Sequence, residues 1–428
     1  MGPVVNNFSV RSMIFFLILA LIDLYAFQAF RHVSKGYSIA VIRRITILYL
    51  IVSVFCFTVI IFTQFTDWQN WNKVFRTYSF AVLIITIFSK FVLSIFVLID
   101  DLVRFFRLIY QKISSSFQKP EYKKNVRLSR SISRSDFIIK AGLFVGFIPF
   151  FSLLYGMAGN AYRYQVRKQT LRFPDLPDSF EGFKIVQISD IHTGSFLSTE
   201  PLARAIKMIN EEKPDVVFFT GDLVNYIHDE ALTYMDVLKQ IKAKHGVFSI
   251  FGNHDYGDYY KWEKPGDKEK NLQELKNIHS TLGWDLLWDE HRYIEQNGEK
   301  IGLIGVQNCS SHRFSNYGSL EKATQNINYC AVNILLSHDP SHWGKEVTKK
   351  YPRIDLTLSG HTHGMQFGVE IPGFKWSPIQ YIYKEWAGLY RENDQYLYVN
   401  RGLGFIGYPG RVGILPEITV IELSKKDS

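Results

Sequence analysis

The run ITILYLIVSVFCFTVIIFTQF, residues 45–65, is 21 residues long and carries no charged side chain. As a helix rising ~1.5 Å per residue it matches a hydrocarbon core of ~30 Å. Three further apolar runs, 12–30, 78–100 and 137–157, have similar lengths. They hold few charges: Asp23 in the first, Lys90 and Asp100 in the third, Lys140 at the start of the fourth. Helices of a soluble core would need a polar face for water, and these runs offer none. Residues 1–157 therefore read as an all-α transmembrane region of about four helices. Asp23 and Lys90 become intramembrane charges, expected to lie in the bundle or near an interface rather than to form a functional pair.

The chain holds 49 Lys+Arg against 40 Asp+Glu, a net charge of +9 that invites a nucleic-acid reading. Its distribution argues otherwise. Residues 1–157 hold 18 basic and 6 acidic side chains, so residues 158–428 are slightly acidic. A phosphate-tracking surface on the C-terminal part is not expected, and no nucleic-acid partner is predicted. Within the membrane region, loops 31–44 and 101–135 carry 13 of the flanking Lys and Arg, including Arg43, Arg44, Lys123, Lys124 and Arg127. The opposite flanks carry seven, among them Lys73, Arg76 and Arg163 to Arg172. Positive loops stay inside, so the C-terminal domain is expected to be extracytoplasmic. The stretch from Ser133 to Lys140 looks like a degraded twin-arginine signal, with Ser135 in place of one arginine, which fits export. Three cysteines (Cys56, Cys309, Cys330) without a C-x-x-C exclude a disulfide framework and a thiolate metal site; they are read as packing residues.

From Arg163 the texture changes to short apolar runs alternating with polar helical stretches, the pattern of layered α/β architecture. Five of those runs end in ligand-type residues. FKIVQIS leads to Asp190 and His192, DVVFFT to Asp222, and VFSIF to Asn253 and His254. AVNILLS leads to His338, and IDLTLS to His361 and His363. The carboxyl edge of a sheet is where loops present side chains on a rigid scaffold. Five of the 12 histidines fall at such ends. Carboxylates, imidazoles and an amide oxygen suit Mn²⁺, Fe²⁺ or Zn²⁺. Seven candidates (Asp190, His192, Asp222, Asn253, His338, His361, His363) are too many for one ion and suit two sharing a carboxylate. Singly the motifs are weaker: Asp339 after His338, for instance, reads equally as a helix cap.

In order, the set D-x-H, G-D, G-N-H-D, H and G-H-T-H resembles the calcineurin-like metallophosphoesterase superfamily. The resemblance implies an α/β/β/α four-layer sandwich over roughly 160–428, within a catalytic domain at 158–428. It also implies a first metal held by Asp190, His192 and His363, a second by Asn253, His338 and His361, and Asp222 between them. His254 would face the phosphate as the catalytic residue, with Asp255 orienting its ring. The tail, from Val399-Asn400-Arg401-Gly402 through Arg411 to Pro416-Glu417, is similar to membrane-bound bacterial members related to the UDP-2,3-diacylglucosamine hydrolases. Residues 1–135 resemble no family we identify. The expectation is a two-metal hydrolase of a phosphomonoester or phosphodiester, acting on a membrane-associated phospholipid or nucleotide-linked glycolipid. The aromatic stretch Phe374 to Tyr390 has the residue types of a bilayer interface, but packing in the core is the favoured reading of it. The alternative is a sensor that binds a phosphorylated ligand without turnover. Oligomeric state is not legible.

Overall fold

The computed structural model describes residues 10–115, 134–312 and 314–425. The chain divides into two compact units, Met1–Leu154 and Tyr155–Ser428.

The first unit is helical. Its elements are α1 (Val10–Ser34), α2 (Ile39–Phe65), α3 (Lys73–Ser115) and α4 (Arg134–Tyr155). All four are long and apolar enough to cross a membrane. Their large apolar side chains face outward, Leu17 and Phe62 among them, the reverse of a water-soluble bundle. Polar groups turn inward. Lys90 Nζ lies 2.6 Å from Asp23 Oδ1 and 2.9 Å from Ser53 Oγ, and Tyr49 donates its hydroxyl to the Asp23 carbonyl. Asp23 and Lys90 thus meet as a pair within the helical unit. A Cβ at Gly142 would meet Phe96 at 2.6 Å, and one at Gly146 would meet Leu93 at 3.2 Å. This small-x-x-x-small face lets α4 lie close on α3. Trp68 and Trp71, at the α2–α3 connection, pack on Phe80 where an interfacial aromatic belt would sit. One expectation is corrected: residues 101–115 are not loop but a continuation of α3, whose 43 residues outrun the hydrocarbon thickness. Lys123, Lys124 and Arg127 of the same basic stretch lie outside the described residues.

The second unit packs two six-stranded sheets face to face. The strands are β1 (Gln165–Arg172), β2 (Lys184–Ile188), β3 (Val216–Phe219), β4 (Val247–Ser249), β5 (Trp284–Leu286), β6 (Glu290–Gln296) and β7 (Glu299–Gly305). They continue with β8 (Asn333–Leu336), β9 (Leu356–Ser359), β10 (Val369–Ile371), β11 (Phe374–Trp376), β12 (Gly388–Glu392), β13 (Gln395–Val399) and β14 (Glu417–Ser424). One sheet runs β1-β14-β2-β3-β4-β5 and the other β12-β13-β9-β8-β7-β6, while β10 and β11 form a separate hairpin. Period-two alternation sorts the side chains. On β2, Ile185 faces the inter-sheet core with Phe218, Ile334, Leu358 and Ile421, and Val186 and Ile188 face an outer helix layer. That layer includes α5 (Glu200–Glu211), which buries Leu202, Ile206 and Ile209, and the helix Asp267–Thr281. On the other outer face Leu335 and Val399 meet Trp343 and Val347. The four-layer α/β/β/α arrangement predicted from the sequence is the one observed. Cys309 and Cys330 are free and buried, as packing residues should be.

Strands β2 to β5 run parallel, as do β7-β8-β9-β13. The carboxyl ends of the parallel strands that carry candidate ligands lie together, which fixes where the functional side chains gather.

Candidate metal centre

Each predicted ligand follows a strand carboxyl end: Asp190 and His192 after β2, Asp222 after β3, Asn253 after β4, His338 after β8, His361 and His363 after β9. The chain must turn sharply there. Asp190, His192, Asp222, His361 and His363 all have positive φ, between 50° and 72°. For residues with a Cβ this costs about 1–2 kcal/mol each, a strain that clusters at functional sites. Two glycines make room for the donors. A Cβ at Gly252 would lie 2.2 Å from Asp222 Oδ1, and one at Gly360 would lie 2.2 Å from Asp190 Oδ2.

The turns bring the seven side chains into one nest. His363 Nε2 is 3.2 Å from Asp190 Oδ1 and 3.1 Å from His192 Nε2. His338 Nε2 is 3.1 Å from Asn253 Oδ1, and His361 Nδ1 is 2.7 Å from the same oxygen. Asp222 Oδ2 stands between the clusters, 3.6 Å from His192 Nε2 and 3.2 Å from His338 Nε2. Two groups, Asp190-His192-His363 and Asp222-His338-His361, bring ligand atoms within 4.8 Å of one another. Donor atoms bonded to a common divalent ion at ~2.0–2.2 Å lie about 3 Å apart, so the spacing fits.

Hydrogen bonds behind the rings select the tautomers. His338 Nδ1 faces the Thr220 carbonyl at 2.7 Å, which leaves Nε2 as the ligand atom. His361 Nε2 meets the Tyr383 hydroxyl at 2.8 Å, and that hydroxyl donates to Asp339 Oδ2 at 3.2 Å, leaving Nδ1 for an ion. His192 Nδ1, fully buried, has no hydrogen-bond partner among the described residues. Burial would raise the Asp222 carboxyl, but the imidazoles of His338 and His254 overcome it and hold it well below the carboxylate range. Burial would likewise deprotonate His338, yet Asp222 draws its pKa up to about 10. His361 is pushed down to about 4, chiefly by burial, and stays neutral at pH 7. The field that pulls a proton onto His338 is the field a divalent cation would neutralise.

His254 lines the cleft beside these donors. Its ring is set by the Asn225 carbonyl, 2.8 Å from Nδ1, while its backbone N–H donates to Asp222 Oδ1. The expectation that Asp255 orients this ring is corrected. Asp255 instead accepts N–H groups of Asp222, Leu223 and Gly252 at 2.8–2.9 Å, tying the turn after β3 to the turn after β4. Asp339 serves the local capping role too, accepting the Ser341 N–H at 2.8 Å. Arg411, fully buried, donates to the carbonyls of His363, Arg401, Gly402 and Gly404 and lies 3.2 Å from His363 Nδ1. Asn225, Tyr383 and Arg411 escape a strand-end search, because each reaches the centre from a loop with no ligand-type spacing. The cleft over the nest measures about 720 Å³, and its remaining wall includes Phe314, Ile379, Ile382 and Ile406.

Known proteins resemble the chain over both units. The family described as "Calcineurin-like phosphoesterase" matches residues 183–365. One described as "Probable Calcineurin-like phosphoesterase, transmembrane domain" matches residues 8–161, so the expectation that residues 1–135 fall in no known family is corrected. The uncharacterized metallophosphoesterase YkuE of Bacillus subtilis is 31% identical over 281 residues, covering 62% of this chain and 91% of that protein. The transmembrane protein with metallophosphoesterase domain of Danio rerio is 32% identical over 285 residues, 64% of this chain but only 60% of its own length. The phosphodiesterase YaeI of Escherichia coli is 29% identical over 252 residues, covering 58% of this chain and 84% of that protein.

Proposed function

The chain belongs to the calcineurin-like phosphoesterase family, and we propose that its C-terminal unit hydrolyses a phosphomonoester or phosphodiester at a centre of two divalent ions. The observation that carries the reading is Asp222 Oδ2, within 3.6 Å of His192 Nε2 and 3.2 Å of His338 Nε2, which joins two donor clusters into one. Asp190, His192 and His363 would hold one ion, Asn253, His338 and His361 the other, with Asp222 shared. Mn²⁺, Fe²⁺ and Zn²⁺ all suit these donors. When bound, such a pair activates water for in-line attack and neutralises charge on the phosphoryl group.

The chain's own residues supply the rest. His254 keeps its Nδ1 proton on the Asn225 carbonyl, so the proton that comes and goes sits on Nε2. From the cleft wall that proton is delivered to the leaving-group oxygen. Asp222 Oδ1 accepts the His254 backbone N–H, so the shared ligand and the acid move as one body. Asp255 stiffens that body through the N–H groups it accepts.

A membrane-associated ester, a phospholipid or a nucleotide-linked glycolipid, is the substrate this reading favours, supported by four candidate spans and the apolar part of the cleft wall. The charge asymmetry of the loops supports an extracytoplasmic catalytic unit; a reporter fused after Ser428 should be active only outside the cytoplasm.

The function is tested on the full-length chain in detergent with Mn²⁺, using a chromogenic phosphomonoester and the matching diester. Asp222→Asn should lower turnover on the order of a thousandfold or more, since a shared metal ligand carries several kcal/mol of transition-state stabilisation. His254→Ala should lower it about a hundredfold or more while metal binding persists. Unchanged turnover in Asp222→Asn would contradict the two-ion reading.

A further inference from the structure

The hairpin β10–β11 is inside out. Its register pairs Val369 with Trp376, Glu370 with Lys375, and Ile371 with Phe374. Directly paired residues share a face, so the apolar pairs lie on one side and the charged pair on the other. The charged side makes the contacts with the protein, Glu370 half-buried and Lys375 exposed along its stem. Glu370 accepts from Arg167 and from Arg401, each at 2.7 Å. Lys375 donates to the Ala387 carbonyl at 2.6 Å and lies over the Tyr390 ring at 4.6 Å. The apolar side is left outside, with Val369 44%, Ile371 57% and Phe374 54% exposed. A sheet facing water normally shows the opposite arrangement.

This face continues into the catalytic cleft. Beyond the hairpin, Tyr381 and Ile382 are 77% and 60% exposed, and Ile382 also lines the cleft beside Ile379 and Phe314. Met365, two residues after the ligand His363, is 52% exposed. Trp376, on the hairpin's apolar side, donates its indole N–H to the Tyr381 hydroxyl at 3.5 Å, so apolar and aromatic side chains lead from the hairpin toward Ile382 and the cleft. The sequence expectation about the aromatic stretch is thereby divided. Tyr383 and Trp386 are buried core, whereas Phe374 and Tyr381 are surface.

We propose that the outer face of β10–β11 and the adjoining Tyr381–Ile382 turn dock on a lipid leaflet and pass a lipid phosphate ester into the cleft. The inference rests on the phosphoesterase reading above. A leaflet is the occupant chosen because the same chain carries four candidate membrane spans and because the apolar path ends at the metal donors. Apolar and aromatic side chains on a protruding edge are what an interfacial anchor requires.

The test uses the full-length chain in mixed micelles with Mn²⁺ and esters that differ only in alkyl length. Hexadecyl and ethyl p-nitrophenyl phosphate serve as diesters, and hexadecyl and butyl phosphate as monoesters. The wild type should favour the hexadecyl ester of the class it hydrolyses by at least about tenfold in kcat/KM. The double variant Ile371→Glu/Phe374→Glu should lose that preference and keep the short-chain rate. Three results overturn the proposal: no chain-length preference in the wild type, a preference retained in the double variant, or equal loss on both esters in it. If the double variant retains the preference, the face instead covers a protein partner. Turnover of none of the four esters would instead remove the phosphoesterase reading itself.

Discussion

In the membrane unit the half-buried carboxylate of Asp23 meets the ammonium of Lys90 at 2.6 Å, and Ser53 and Tyr49 complete the cluster. In the catalytic unit Asp190 and Asp222, more deeply buried, face imidazoles and an amide oxygen whose lone pairs converge on common points. The buried guanidinium of Arg411 is engaged with four backbone carbonyls rather than with a carboxylate. One unit balances its buried charge within itself, and the other leaves donors crowded around an unbalanced negative field. A balanced pair holds helices together; an unbalanced set invites cations. The comparison locates chemistry in the second unit and support in the first.

The sharpest way to break this contrast is to unbalance the first unit. Asp23→Ala leaves Lys90 unpaired at membrane depth and should destabilise the helical unit by about 3–5 kcal/mol. Asp23→Leu/Lys90→Leu should recover most of that loss, read as thermal midpoints of the detergent-solubilised chain. Metal binding by the catalytic unit should be unaffected in both. A single variant as stable as the wild type would mean the pair is not a structural tie.

A smaller effect is expected from the support behind His361. Tyr383→Phe removes the hydroxyl that joins His361 Nε2 to Asp339. Affinity for one of the two ions should fall about 10- to 100-fold, with the other less affected. Metal titration followed by calorimetry checks this; two unchanged affinities would show that Tyr383 only packs.

A graded effect concerns acid stability away from the centre. His279 is fully buried beside Phe219, Phe251 and Trp284, with one ring nitrogen bonded to Ser249. Burial pushes its pKa down to about 3. The unfolded chain, with an ordinary histidine pKa near 6.5, then binds the extra proton. Stability from this residue is present above about pH 6.5 and is lost as pH falls toward 3, by up to ~1.4 kcal/mol per pH unit. His279→Gln keeps a partner for Ser249 without titrating there, so its melting temperature should fall less steeply than the wild type's on acidification. Parallel curves would contradict the assignment.

What could be read in advance depended on whether a residue's role is local. Asp190, Asp222, Asn253, His338, His361 and His363 each follow an apolar run, so strand-end placement alone predicted that they meet. That Asp23 and Lys90 need settling was legible from the cost of charge at membrane depth, but their pairing was not, since they stand 67 residues apart on different helices. Tyr383 is core, the favoured reading of its aromatic stretch, but its bond to His361 was not legible, because that partner lies 22 residues earlier on another element. The role of Asp255 was misassigned because its neighbour in sequence, His254, is fixed by Asn225 from a different strand end. The reversed faces of β10–β11 depend on Arg167 and Arg401 capturing Glu370, and nothing in the run Val369–Ile371 announces that. The extension of α3 to Ser115 was hidden by its basic residues, which mark the end of a membrane span but not the end of a helix.

The central claim is that the second unit's unbalanced donors take two ions through a shared Asp222. Metal content of the purified full-length chain, dialysed after loading with Mn²⁺, tests it most directly. The account predicts two ions per chain in the wild type and a loss of tightly held metal in Asp222→Asn. One ion per chain in the wild type, or two retained in Asp222→Asn, would contradict it.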